Sequence, residues 1–180
     1  MTEMATTTSS SPMVTGLFRD RESAERAYQS LSDRGYTRDD VNLVMSDETR
    51  KRYFSGTDTQ QTELGTKAAE GAGIGGAIGG TLGAIAAAIA AVGTSIVLPG
   101  AGLVVAGPLA AALAGGGAGA ATGGLLGALI GSGIPEERVK HYETGINEGG
   151  ILMGVKPRSV EDAEYVERSW KDNSGEHVYR

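Results

Sequence analysis

The residues with the most chemical potential in this chain are few and far apart. Gly71-Ala72-Gly73-Ile74-Gly75-Gly76 satisfies G-x-G-x-x-G, the pattern with which a tight backbone turn approaches a dinucleotide pyrophosphate. That chemistry needs a strand before the glycines and an acidic residue about twenty positions on to hold a ribose. Here Thr66-Lys67-Ala68-Ala69-Glu70 comes first and no acid follows at that distance, so the glycines are expected to be structural. No phosphate-loop Gly-Lys-Ser/Thr occurs. Glu137 and His141, one helical turn apart, could begin a metal site, with His177 the only other imidazole, but an ion pair on a solvent-facing helix is the expected reading. The acid pairs Asp39-Asp40 and Glu161-Asp162 fall where turns and helix starts want them, and no nucleophile-elbow motif accompanies them. The expectation is therefore no enzyme activity, no catalytic residue, no cofactor and no metal ligand set. With no cysteine, disulfides, thiolate metal sites and cysteine nucleophiles are excluded.

Charge narrows the classes further. A net charge of -6 offers no basic face to displace counterions from phosphates, so nucleic acid is not an expected partner. The charges are also strongly partitioned: from Gly71 to Pro135 there is no Asp, Glu, Lys, Arg or His. At 180 residues the chain has room for one ordinary domain with a large insertion. The opening MTEMATTTSSSP has neither a basic nor an apolar leader region, so residues 1–12 are expected to be a disordered polar tail and the charged parts to stay in the cytoplasm.

The flanks must supply whatever platform positions these groups. Residues 13–46 read as a strand at Met13 to Phe18, a helix with Asp20 as its cap and Ala24, Ala27, Tyr28 and Leu31 at helical spacing, a stop at Gly35, and a second strand at Val41 to Met45. Residues 47–70 read as a polar linker. Residues 135–180 begin with a helix, Pro135 at its first position, Glu136 and Glu137 in its first turn and Gly149-Gly150 at its end. A second strand-helix-strand follows: Ile151 to Val155, a helix capped by Ser159 and closed by Gly175 with Trp170 as its anchor, then His177 to Tyr179. Two such halves combine most simply into an α+β, ferredoxin-like split βαβ sandwich, an antiparallel sheet with two helices on one face. Its second and third strands must then be neighbours across the insertion.

The insertion, residues 71–134, reads as a glycine-zipper helical hairpin. Gly71, Gly75, Gly79 and Gly83 recur every four residues, as do Gly115, Gly119, Gly123, Gly127 and Gly131. That spacing lines glycines along one helix face, where two backbones can approach closely, so these nine are the expected helix-packing and oligomerisation residues. The break between the arms is placed at Gly93 to Pro108, which contains two prolines. Residues Gly71 to Val92 would span roughly 33 Å as a helix, about the thickness of a bilayer core. Having no polar face, both arms require lipid or sister chains around them. The hairpin is expected to associate with the cytoplasmic membrane, and with other hairpins, as a two-pass span or, because its far loop carries no charge, as a re-entrant or interfacial hairpin, the alternative being a soluble homo-oligomer with a shared apolar core. A ligand-binding regulatory domain is the third and weakest reading.

The order VTGLFRDRESAERAYQSLSDRGYTRDDVNLVM, then GAGIGGAIGG, then ALAGGGAGAATGGLLGALIGSGIPEERVKHYETGINEGGILMGV resembles the bacterial general stress protein 17M-like family. The resemblance covers about residues 13 to 179 and is most specific from Gly131 to Val155. It implies a small α+β domain with a glycine-zipper insertion, expression under general stress, a location at or near the membrane, and no reaction.

Overall fold

Apolar side chains that alternate along a run become strands when both faces of the resulting sheet have something to bury. A computed structural model describes residues 12–54, 96–98, 102–114, 127, 129–130 and 134–180. The strands are β1 (Val14–Phe18), β2 (Val41–Ser46), β3 (Ile96–Leu98), β4 (Leu103–Ala106), β5 (Ile151–Val155) and β6 (Glu176–Tyr179). The helices are α1 (Arg21–Asp33), α2 (Asp47–Phe54), α3 (Pro108–Ala114), α4 (Glu136–Asn147) and α5 (Val160–Asp172). All six strands form one antiparallel sheet in the order β3-β4-β2-β5-β1-β6. The two halves of the chain thus interleave: β5 lies between β1 and β2, with Val44 opposite Leu152 and Leu17 also opposite Leu152. The second and third strands of the paired halves are neighbours, as the strand-helix-strand grammar requires.

Period-two alternation divides the side chains between the faces. Val14, Phe18, Val41, Leu43, Met45, Ile151, Met153 and Val155 join a core with α1 and α5. Trp170 is fully buried there, meets Phe18 edge to face at 5.7 Å between ring centres, and donates its indole N–H to the Ala27 carbonyl at 3.3 Å. Leu17, Val44, Leu103, Val105 and Leu152 point the other way.

Helix ends follow their chemistry. Asp20 accepts the Ser23 amide at 2.8 Å and Ser159 accepts that of Asp162 at 3.0 Å. α4 begins one residue later than expected, with Pro135 outside the first turn as its cap. It closes with the Gly149 and Gly150 amides reaching back to the Ile146 and Gly145 carbonyls. In α5 the left-handed closing position belongs to Ser174, φ 63°, and Gly175 is the residue after it. Gly175 closes the helix with its amide, which donates to the Trp170 carbonyl at 2.7 Å, and a Cβ there would lie 2.7 Å from the same oxygen.

Two further expectations change. The polar linker does not begin at residue 47, because Asp47–Phe54 is helical, with the Thr49 amide bonded to Ser46 Oγ at 3.0 Å and Phe54 buried in the core. The segment Gly93 to Pro108, expected as a bare break, carries β3 and β4, so the sheet has six strands rather than four. Both of these new strands are apolar.

Truncating Trp170 to Ala removes the largest buried side chain and its N–H bond, and about 3 to 5 kcal/mol of unfolding free energy should be lost in urea titrations followed by far-UV circular dichroism. Asp40 offers a pH test. The Thr37 amide at 2.8 Å, with the Thr37 hydroxyl and Arg158, holds its carboxyl below the usual carboxylate range. A depressed folded-state value means stability that is present above about pH 4 and lost as pH falls through the folded value. Replacing Asp40 by Asn should therefore flatten the fall of the urea midpoint as pH drops below about 4.

Candidate functional site

The insertion meets the domain on the second face of the sheet, and that junction is where the chain invests its unusual geometry. β4 pairs with β2, Val44 opposite Val105 and Ser46 opposite Leu103. The chain then turns at Gly107, whose φ is +93°. A side chain there would stand 2.1 Å from the Val41 carbonyl oxygen, so backbone lies directly on backbone and only glycine fits. Gly107 has no side chain with which to cap α3, and Asn42 of β2 supplies the missing acceptor: its Oδ1 takes the Leu109 amide at 2.7 Å in a buried bond. Leu109 and Ala110 continue into the second-face core beside Leu129, Ile134, Val139 and Ile146.

Of the nine glycines expected to pack helices, Gly127 alone lies among the described residues; it is helical and half-buried. Gly71, Gly75, Gly79, Gly83, Gly115, Gly119, Gly123 and Gly131 lie outside them, as do most of both arms. Two residues on from Gly127, Leu129 is in the core while Ile130 is 43% exposed, so this part of the insertion has one face on the sheet and one outward.

At the junction the break between the arms is part of the domain's own sheet. Residues Leu103–Ala106 are hydrogen-bonded to β2, whose next turn carries the charged Asp47 and Arg50, and a strand cannot be parted from its sheet by a membrane. Among the described residues no helix is long and apolar enough to cross a membrane. Arg50 and Lys51 both pair with Asp47, at 2.8 and 2.6 Å.

Other groups singled out in the sequence fall in distinct places. Asp162 binds Arg34 at 2.7 Å and the Tyr36 hydroxyl at 2.9 Å, and the same hydroxyl accepts the Arg158 amide at 3.0 Å. Along α1 runs an open groove of about 770 Å³ whose charges pair along the helix, Arg26 with Glu22 at 2.7 Å and Arg21 with Glu25 at 3.6 Å. His141 does not follow the expected helical ion pair: its ring stacks on that of His177, 5.0 Å between centres and 13° from parallel. Beneath them Tyr142, whose hydroxyl is pushed up to about 12 by burial, donates to the His177 carbonyl at 2.8 Å and sits 2.7 Å from Thr15 Oγ1.

Sequence reasoning missed Asn42, Gly107 and the stacked imidazoles. The run Gly102-Leu103-Val104-Val105-Ala106-Gly107, β-prone and bracketed by glycines, was a signal for β4. Asn42 had none, because its partner is 67 residues away.

Comparison with known proteins finds no matching family model, no matching curated protein and no matching solved structure. Two substitutions test the junction. Asn42→Ala strands the buried Leu109 amide and should lower stability by about 1 to 2 kcal/mol, with faster amide exchange at Leu109. Gly107→Ala has no such modest outcome: it forces β4 off β2, and a loss of about 3 kcal/mol or more is expected from chemical denaturation.

Proposed function

We propose that this chain is a non-enzymatic stress-response protein that self-assembles through its glycine-rich insertion, with the α+β domain as the platform that holds the insertion. The strand order β2-β5-β1-β6 with α1 and α5 on one face supports a ferredoxin-like split βαβ core, to which β3 and β4 are added. The observation that carries the proposal is the anchoring of the middle of a charge-free insertion to a charged domain at Gly107 and Asn42. The glycine repeats on either side of that anchor are too rich in glycine to be helical in water unaided, since each glycine costs about 1 kcal/mol relative to alanine. Close packing against another copy offsets that cost. The outward-facing Ile130 gives the same direction from within the described residues. The stress role comes from the family resemblance.

Contact with a lipid surface on the cytoplasmic side is the second reading, favoured by the absence of any charge from Gly71 to Pro135. The pairing of Arg50 and Lys51 with Asp47 leaves it to rest on apolar contact more than on attraction to anionic headgroups.

Solution mass distinguishes these. Light scattering without detergent should give a defined multimer, and Gly79→Leu with Gly123→Leu should shift it towards the monomer. A mass unchanged by both substitutions rules out glycine packing as the means of assembly. Flotation of the protein with uncharged vesicles, absent for the assembled multimer, would leave self-association as the whole of the activity.

A further inference from the structure

We propose that His141 and His177 form a binding site for a late first-row divalent metal ion, Zn²⁺ or Cu²⁺. They are the two histidines of the entire 180-residue chain, they lie on different elements, α4 and β6, and the fold brings their rings together. Imidazole suits zinc and copper, whereas magnesium and calcium prefer oxygen. Two imidazole nitrogens about 2.1 Å from one tetrahedral ion place their ring centres about 5 Å apart. The observed separation is 5.0 Å, but the rings are stacked, 13° from parallel, and an ion bound to both nitrogens lies in both ring planes, so one ring must swing out of the stack to take it. Both rings are exposed, so each can turn a nitrogen towards a shared ion and water can complete the coordination. Among the described residues no third His, Asp or Glu joins them, which makes this a two-imidazole site of moderate affinity.

The backbone around His177 is specialised in a way that aims its ring. Leu17 pairs with Glu176 and Thr15 with Tyr179, so β6 has one more residue than β1 between the two pairings, a bulge at His177 and Val178. His177 holds φ at +48°, a left-handed conformation that costs an ordinary residue free energy and persists only when its surroundings enforce it. Tyr142 enforces it from beneath by donating to the His177 carbonyl, with Thr15 fixing the Tyr142 hydroxyl in turn. The Arg138 guanidinium, one turn before His141, sits over the Tyr179 ring at 4.1 Å. An ion held by both imidazoles would tie the edge strand β6 to the middle of α4.

Calorimetric titration of the full chain with Zn²⁺, Cu²⁺ and Mg²⁺ tests the site. The expected result is one equivalent of Zn²⁺ or Cu²⁺ bound at micromolar dissociation constants, Cu²⁺ the tighter, with a rise in melting temperature and no heat from Mg²⁺. His141→Gln keeps an exposed helical position and His177→Asn keeps a residue tolerant of positive φ, so both variants should fold with the circular dichroism of the parent. Each should weaken binding at least about tenfold, the loss of one of two ligands. Electron paramagnetic resonance of the Cu²⁺ form should show nitrogen coupling that either substitution reduces. No Zn²⁺ heat up to about millimolar concentration, or binding that survives either substitution at parental strength, overturns the proposal.

Discussion

A sheet that is apolar on both sides governs this molecule. α1 and α5 cover one side and leave Leu17, Val44, Leu103, Val105 and Leu152 on the other. Burying five such side chains contributes roughly 8 to 15 kcal/mol as an upper estimate, comparable to the whole net stability of a domain of this size. The covering elements are α4, α3 and the stretch around Leu129, and two of those three come from the charge-free insertion. The insertion is consequently part of the fold, and the domain without it would present a wet apolar face.

The join between the two halves is of a different kind. Arg34, Asp162, Tyr36, Arg158 and Asp40 bind one another across the first and second halves, mostly at partly exposed positions. Exposed ion pairs contribute little net stability, so this network sets the angle between α1 and α5 more than it holds them. The holding comes from Trp170 against Phe18 and Ala27. Asp162 shows the division of labour: its backbone amide completes the helix cap on Ser159 while its carboxylate faces the other half of the chain.

What could be read from the sequence was what neighbouring residues decide. β1, α1, β2, α4, β5 and α5 follow from alternation, helical spacing, Asp20, Ser159 and the glycine pair after Asn147, and their boundaries agree to within a residue or two. α2 was readable too, since Ser46 followed by Asp47 and Glu48 is a helix start, but the absence of an apolar stripe hid it; its only deeply buried large side chain is Phe54. β4 lost to a composition argument. A segment with two prolines and several glycines looked like a break, although Leu103 to Ala106 between them alternates faces as an inner strand must. The Asn42 cap and the His141–His177 stack join residues 67 and 36 positions apart and depend on strand order, which local periodicity does not encode.

The anchoring at β4 and α3 alters what the glycine repeats can do. A hairpin with a free tip could reach away from its domain, but here residues 55–95 leave from α2 and return at β3, and residues 115–126 leave from α3 and return near Leu129, which is in the core. The described residues that flank these runs, α2 and β3 for the first and α3 and Leu129 for the second, belong to one platform. The second face of that platform offers the exposed Ile130 beside the buried Leu129. In the assembly proposed above, charged domains would be brought together, and the net charge of -6 on each chain would set a repulsion that limits how many gather and that salt relaxes.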